Sequence, residues 1–76
     1  MTIEVLDTVV LKQDLPDDGL KAGDVGAVVE RYGSTGIEVE FVTGAGRTQA
    51  LVTLDIDDVR EFGDSDLLSA RPLSAA

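Results

Sequence analysis

The stretch Leu20-Lys21-Ala22-Gly23-Asp24-Val25-Gly26-Ala27-Val28-Val29-Glu30 carries a turn signal and a strand signal in one short run. Lys21-Ala22-Gly23-Asp24 has the polar and glycine content of a tight turn, because glycine takes positive φ without a Cβ penalty and aspartate bonds to its own backbone. Ala27-Val28-Val29 is β-favouring apolar sequence, and the Gly26 before it marks a position where a side chain would obstruct another backbone. Together they predict the entry to the second strand of a small barrel.

Working outward toward the N-terminus, residues 3–12 contain Val5-Leu6-Asp7-Thr8-Val9-Val10-Leu11, a β-branched run predicted as strand one, buried on one face and partly on the other. Residues 13–18 read as a loop, since Leu15-Pro16-Asp17-Asp18-Gly19 sets proline ahead of turn-favouring aspartates and a glycine. Leu15 and Leu20 bracket that loop, and one or both should fold back as apolar pins on the core.

Toward the C-terminus, strand two is predicted over residues 26–32, and Gly33-Ser34-Thr35-Gly36 is an open turn signal. Ile37-Glu38-Val39-Glu40-Phe41 alternates strictly, which puts Ile37, Val39 and Phe41 on one face of strand three and Glu38 and Glu40 on the other. After the turn Thr43-Gly44-Ala45-Gly46, residues 47–54 form strand four, with Ala50, Val52 and Leu54 able to face the core. Asp55-Ile56-Asp57-Asp58 has capping chemistry but too few residues for an α-helix, so a single 3-10 turn is expected. Val59-Arg60-Glu61-Phe62 then closes against strand one. The expected architecture is all-β, a five-stranded barrel over residues 1–62. Residues 63–76 form an irregular tail, flexible or folding on a partner, with Leu67, Leu68 and Leu73 as apolar hooks and a helical turn near Asp66.

Composition limits the chemistry. A chain of 76 residues holds one domain with a small core, burying only about 60% of its unfolded surface. There is no cysteine and no histidine, which removes disulfides, thiolate sites, the commonest general base and the commonest zinc ligand. Fifteen acidic against six basic residues give a net charge of -9, which repels phosphate backbones and disfavours nucleic-acid binding. Nothing reads as a membrane span or a signal peptide, so a cytoplasmic protein is expected.

Five short strands, a long first loop, two glycine turns and a 3-10 turn before the last strand are similar to an SH3-like barrel. The elements Asp7-Thr8-Val9-Val10-Leu11, Asp14-Leu15-Pro16, Gly19-Leu20-Lys21-Ala22-Gly23-Asp24-Val25-Gly26, Val39-Glu40-Phe41 and Val52-Thr53-Leu54 resemble a bacterial family of small stand-alone proteins. It is catalogued as domain of unknown function 4926; the resemblance implies a fold and brings no catalytic residues. The run Gly23-Asp24-Val25-Gly26-Ala27-Val28-Val29 also resembles the KOW segment of RNA-binding barrels, although KOW segments are usually basic and only Lys21 and Arg31 flank this strand. With Val39-Glu40-Phe41 and Leu54-Asp55 it is similar to the barrel of nitrile hydratase β-subunits and their activators, which dock on a catalytic chain.

Few residue groups could carry chemistry. Asp55, Asp57 and Asp58 are the densest carboxylate cluster, but Val59 and Arg60 stand where an EF-hand needs further ligands, and a capped solvated turn outweighs a metal site. Glu38 and Glu40 read as a charged face that discourages edge pairing more readily than as a catalytic pair. Gly23 and Gly26 lack the Gly-Lys-Ser or Gly-Lys-Thr of a phosphate loop. Tyr32, Phe41 and Phe62 are the only aromatics; Phe41 falls on the apolar face, and Tyr32 beside Gly33 is the better contact residue. The expectation is a non-catalytic acidic module without cofactor or metal, docking on a basic protein through Tyr32, Glu38, Glu40, Asp55, Asp57 and Asp58. An immunity- or antitoxin-like protein is one form of this. The alternatives are an accessory or activator subunit of a metalloenzyme and a homo-oligomer joined by barrel edges.

Overall fold

A computed structural model describes residues 2–73 of the chain. Five antiparallel strands form one sheet in the order β4-β3-β2-β1-β5, with β1 at Thr8–Leu11, β2 at Val25–Tyr32, β3 at Gly36–Val42, β4 at Thr48–Asp55 and β5 at Val59–Glu61. β2, β3 and β4 make the expected meander, and β5 returns beside β1 with Val10 opposite Arg60. Two 3-10 turns interrupt the strands, one at Pro16–Asp18 and one at Ile56–Asp58.

The first strand is shorter than its β-branched composition suggests. Asp7 accepts from the Glu4 N–H at 2.9 Å and its own N–H returns to the Glu4 carbonyl at 3.0 Å, closing a turn in which Leu6 takes φ 80°. Local aspartate chemistry therefore competes with strand pairing and wins until Thr8. Val9, Val10 and Leu11 are all buried, because β1 lies between β2 and β5.

The deciding stretch behaves as its residues dictate. Leu15 and Leu20 form an isolated antiparallel bridge, with N–H to carbonyl distances of 3.0 and 3.1 Å, and Leu20 is buried while Leu15 packs partly against the core. Asp24 closes the turn by accepting from the Lys21 N–H at 2.8 Å. A Cβ on Gly26 would lie 2.7 Å from Val39 Cγ1, 2.9 Å from the Glu40 carbonyl oxygen and 2.9 Å from Phe41 Cε1, so β3 passes too close for any side chain there.

The core joins Val9 and Leu11 of β1, Leu20, Val28 of β2, Ile37, Val39 and Phe41 of β3, Leu54 of β4 and Val59 of β5, closed by Ile3. Ala50 and Val52 pack against it on the same face as Leu54. Complete burial of each large apolar side chain is worth about 1.5–3 kcal/mol. The second 3-10 turn is held by a capping box: Asp55 accepts from the Asp57 N–H at 2.9 Å and Asp58 accepts from the Asp55 N–H at 3.0 Å.

Residues 63–73 contain no helix. In place of the expected turn of helix, Asp66 accepts from the Gly63 N–H at 2.6 Å and receives a two-pronged bond from Arg60 at 2.7 and 2.9 Å, which turns the chain back at once. Leu67 and Leu68 are 92% and 72% exposed and do not act as hooks. Arg71 holds the segment instead. The remainder of the predicted tail, residues 74–76, and Met1 lie outside the described residues.

Candidate functional site

Strand pairing fixes which side chains share the outer face of the meander. Tyr32, Gly36 and Asp55 form one row across β2, β3 and β4; Glu30, Glu38 and Thr53 form the next; Ala27, Glu40 and Leu51 form the third. The buried partners Val28, Ile37, Val39 and Leu54 point the other way. Four carboxylates, one phenol and the exposed side chains of Leu51 and Val42 therefore share a single face.

A β-bulge creates that face. The β2–β3 register shifts between Val28 and Glu30, so Val29 is the extra residue. Under strict alternation Glu30 and Tyr32 would follow Val28 into the core. The shift sends them outward and turns Arg31, opposite the buried Ile37, to the other side. There the Arg31 guanidinium donates to the carbonyl of Ile3 and, at 3.2 Å, to that of Ser34. The one basic residue within β2 is thus withdrawn from the carboxylates.

Of the sequence-predicted residues, the structure brings Tyr32, Glu38, Glu40 and Asp55 together on this face. The Tyr32 hydroxyl donates to Glu38 Oε1. That bond, burial, and the charges of Glu38 and Glu30 all disfavour phenolate, and hold the Tyr32 hydroxyl above its ordinary pKa. Glu40 accepts from the Thr48 hydroxyl at 2.5 Å. Glu30 stands directly opposite Glu38, a like-charge arrangement that costs about 0.2–1 kcal/mol.

Asp57 and Asp58 are not part of the face. They belong to the 3-10 turn beyond β4, where Asp58 caps the Asp55 N–H and accepts from Gln13 Nε2 at 2.8 Å. Among the described residues no group of three or more His, Cys, Asp or Glu side chains is placed to hold a metal ion.

Sequence reasoning missed Glu30 and a second charged feature at the opposite end of the strands. Arg71 Nε donates to Asp24 Oδ1 at 3.0 Å, its Nη2 donates to Asp24 Oδ2 at 2.5 Å, and the same Nη2 reaches the Gly19 carbonyl at 3.0 Å. Burial pushes the Asp24 carboxyl up, but the bonds from Arg71 and the Lys21 N–H, with both cationic charges, outweigh it and leave the pKa below its usual value. Nothing in the sequence links residues 47 positions apart. The only available signal was an arginine isolated in an otherwise Ser-, Ala- and Leu-rich segment.

These features define a class, a small all-β domain of five antiparallel strands that presents a carboxylate-lined sheet face. Within that class the chain belongs to the family described as domain of unknown function (DUF4926), whose model matches residues 5–61. No curated protein and no solved structure matches the chain. The match includes every residue of the outer face and Asp24, and it ends before Arg71. No helix among the described residues is long and apolar enough to cross a membrane.

Proposed function

We propose that this chain is a non-catalytic cytoplasmic binding module that docks on a basic protein partner through the outer face of β2, β3 and β4. The observation that carries this reading is the grouping of Glu30, Glu38, Glu40 and Asp55 on one face with no cation among the described residues paired to them. Among the described residues the two ion pairs, Arg60 with Asp66 and Arg71 with Asp24, lie elsewhere. Unpaired carboxylates steer and select a cationic surface, while Tyr32, Leu51 and Val42 offer the aromatic and apolar area from which affinity comes. A face that carries Glu30 against Glu38 stabilises the isolated domain less than a neutral one would. An incoming cation relieves that repulsion.

The strand order, with β5 returning beside β1 after a 3-10 turn, supports an SH3-like barrel as the scaffold. The net charge of -9 favours a partner whose own surface is made for phosphates, which makes an immunity- or antitoxin-like role against a nuclease the specific form of the proposal.

The test is affinity capture from the native host at low and high salt, with wild type beside a Glu38→Lys/Glu40→Lys variant. A basic protein retained by wild type at low salt, released at high salt and absent from the variant is the expected result. Capture that is indifferent to both salt and charge reversal would remove the proposal. A captured metalloenzyme chain would select the accessory-subunit reading instead.

A further inference from the structure

The end of the sheet opposite the Tyr32 row holds a groove of about 430 Å³, floored by Leu20, Val25, Phe41 and Val42 and roofed by residues 68–73 of the same chain. The roof does not fill it. Leu68 and Leu73 line the groove yet stay 72% and 45% exposed, so the roof is held at one point, by Arg71 on Asp24 and the Gly19 carbonyl.

From this we infer that the groove is a binding site for an extended segment of a partner protein carrying one arginine, and that residues 68–73 occupy it in cis as a displaceable stand-in. The seated segment defines the ligand chemistry. Asp24 offers both carboxylate oxygens, and the Gly19 carbonyl adds a third acceptor; the planar fork of an arginine satisfies all three, whereas a lysine ammonium cannot span them. Pro72 follows Arg71 and keeps the backbone extended beside the apolar floor. The floor can take aliphatic side chains that the cis segment leaves in solvent. Asp24 is prepared for this without the tail, because the Lys21 N–H already fixes one carboxylate oxygen at 2.8 Å. The site shares Val42 with the carboxylate face but none of its four carboxylates, so either charged site can fail without the other.

A tethered occupant competes at an effective concentration in the millimolar range, so weakening it should raise affinity for a free segment about tenfold. The probe is a blocked synthetic peptide, Leu-Ser-Ala-Arg-Pro-Leu, titrated by calorimetry and by NMR into the full-length chain. The Arg71→Ala variant should bind it about tenfold more tightly than wild type, with shifts at Asp24, Phe41 and Val42. Changing the peptide arginine to lysine should cost at least tenfold, and so should Asp24→Asn added to Arg71→Ala. Should Arg71→Ala not fold, Arg71→Lys keeps the stem and charge while removing the fork, and serves the same comparison. Absence of peptide binding by a folded Arg71 variant, or equal binding of the lysine peptide, overturns the inference. So does a wild-type mass of two chains that falls to one on Arg71→Ala, which would give the groove to a second copy's tail.

Discussion

Adding one methyl group at Gly26 tests the packing of the deciding stretch directly. A Cβ there would lie 2.7 Å from Val39 Cγ1 and 2.9 Å from both the Glu40 carbonyl oxygen and Phe41 Cε1, against about 3.5–4.0 Å for a relaxed carbon contact. None of the three can retreat easily. Val39 is 0% exposed and Phe41 3% exposed, while the Glu40 oxygen belongs to a strand paired on both sides. Overpacking of this kind costs about 1–3 kcal/mol. A domain this size has roughly 4–11 kcal/mol in all, and each kcal/mol moves Tm by about 4–8 °C. Gly26→Ala should therefore lower Tm by about 5–20 °C and the urea midpoint in proportion, read by far-UV circular dichroism. Gly44→Ala is the matched control, because its Cβ would meet nothing within 4 Å and its φ is not positive. It should be neutral or stabilise by about 0.4–1 kcal/mol through the unfolded chain. An unchanged urea slope in both variants would locate the difference in the folded state. Equal stability of the two variants, or a more stable Gly26→Ala, would refute the close approach of β2 and β3.

Three further outcomes follow from particular side chains. Tyr32 is the single tyrosine and there is no tryptophan, so its ultraviolet titration is unobscured; the midpoint should lie above the ordinary 10.0, and Glu38→Gln should bring it down. Because that pKa is raised on folding, the linked stability is present below the unfolded value and is lost as pH rises through the folded one. Asp55→Ala removes the cap of the second 3-10 turn and should cost about 0.5–2 kcal/mol in urea unfolding, with a midpoint unchanged from wild type counting against the capping box. Asp66 should titrate near 2 by NMR, held down by the Arg60 fork and the Gly63 N–H. Its contribution to stability is fully present above the unfolded carboxylate pKa and is lost as pH falls from there through the folded value near 2, and Arg60→Ala should move the midpoint up.

Most of the sheet was legible in the chain because its signals are local. The alternation of Ile37, Val39 and Phe41 with Glu38 and Glu40, the Leu15–Leu20 clip and the Asp55 cap each depend on neighbours within a few positions, whereas the partners that obstruct Gly26 stand on β3. The first strand was overestimated for the same kind of reason. Asp7 closes a turn onto Glu4, and β-branched composition alone carries no sign of it.

Composition and local patterning are enough to make this a small, strongly acidic β-domain with neither histidine nor cysteine, and to set the turns that join β2 to β3 and β3 to β4. Which carboxylates meet is a property of the folded sheet. The extra residue at Val29 reverses the facing of Glu30, Arg31 and Tyr32, and a shift of one residue in a period-2 strand leaves no mark in composition. The fold likewise returns Arg71 to Asp24. That pairing depends on where the folded sheet delivers the segment after β5, and on no pattern that neighbouring residues could encode.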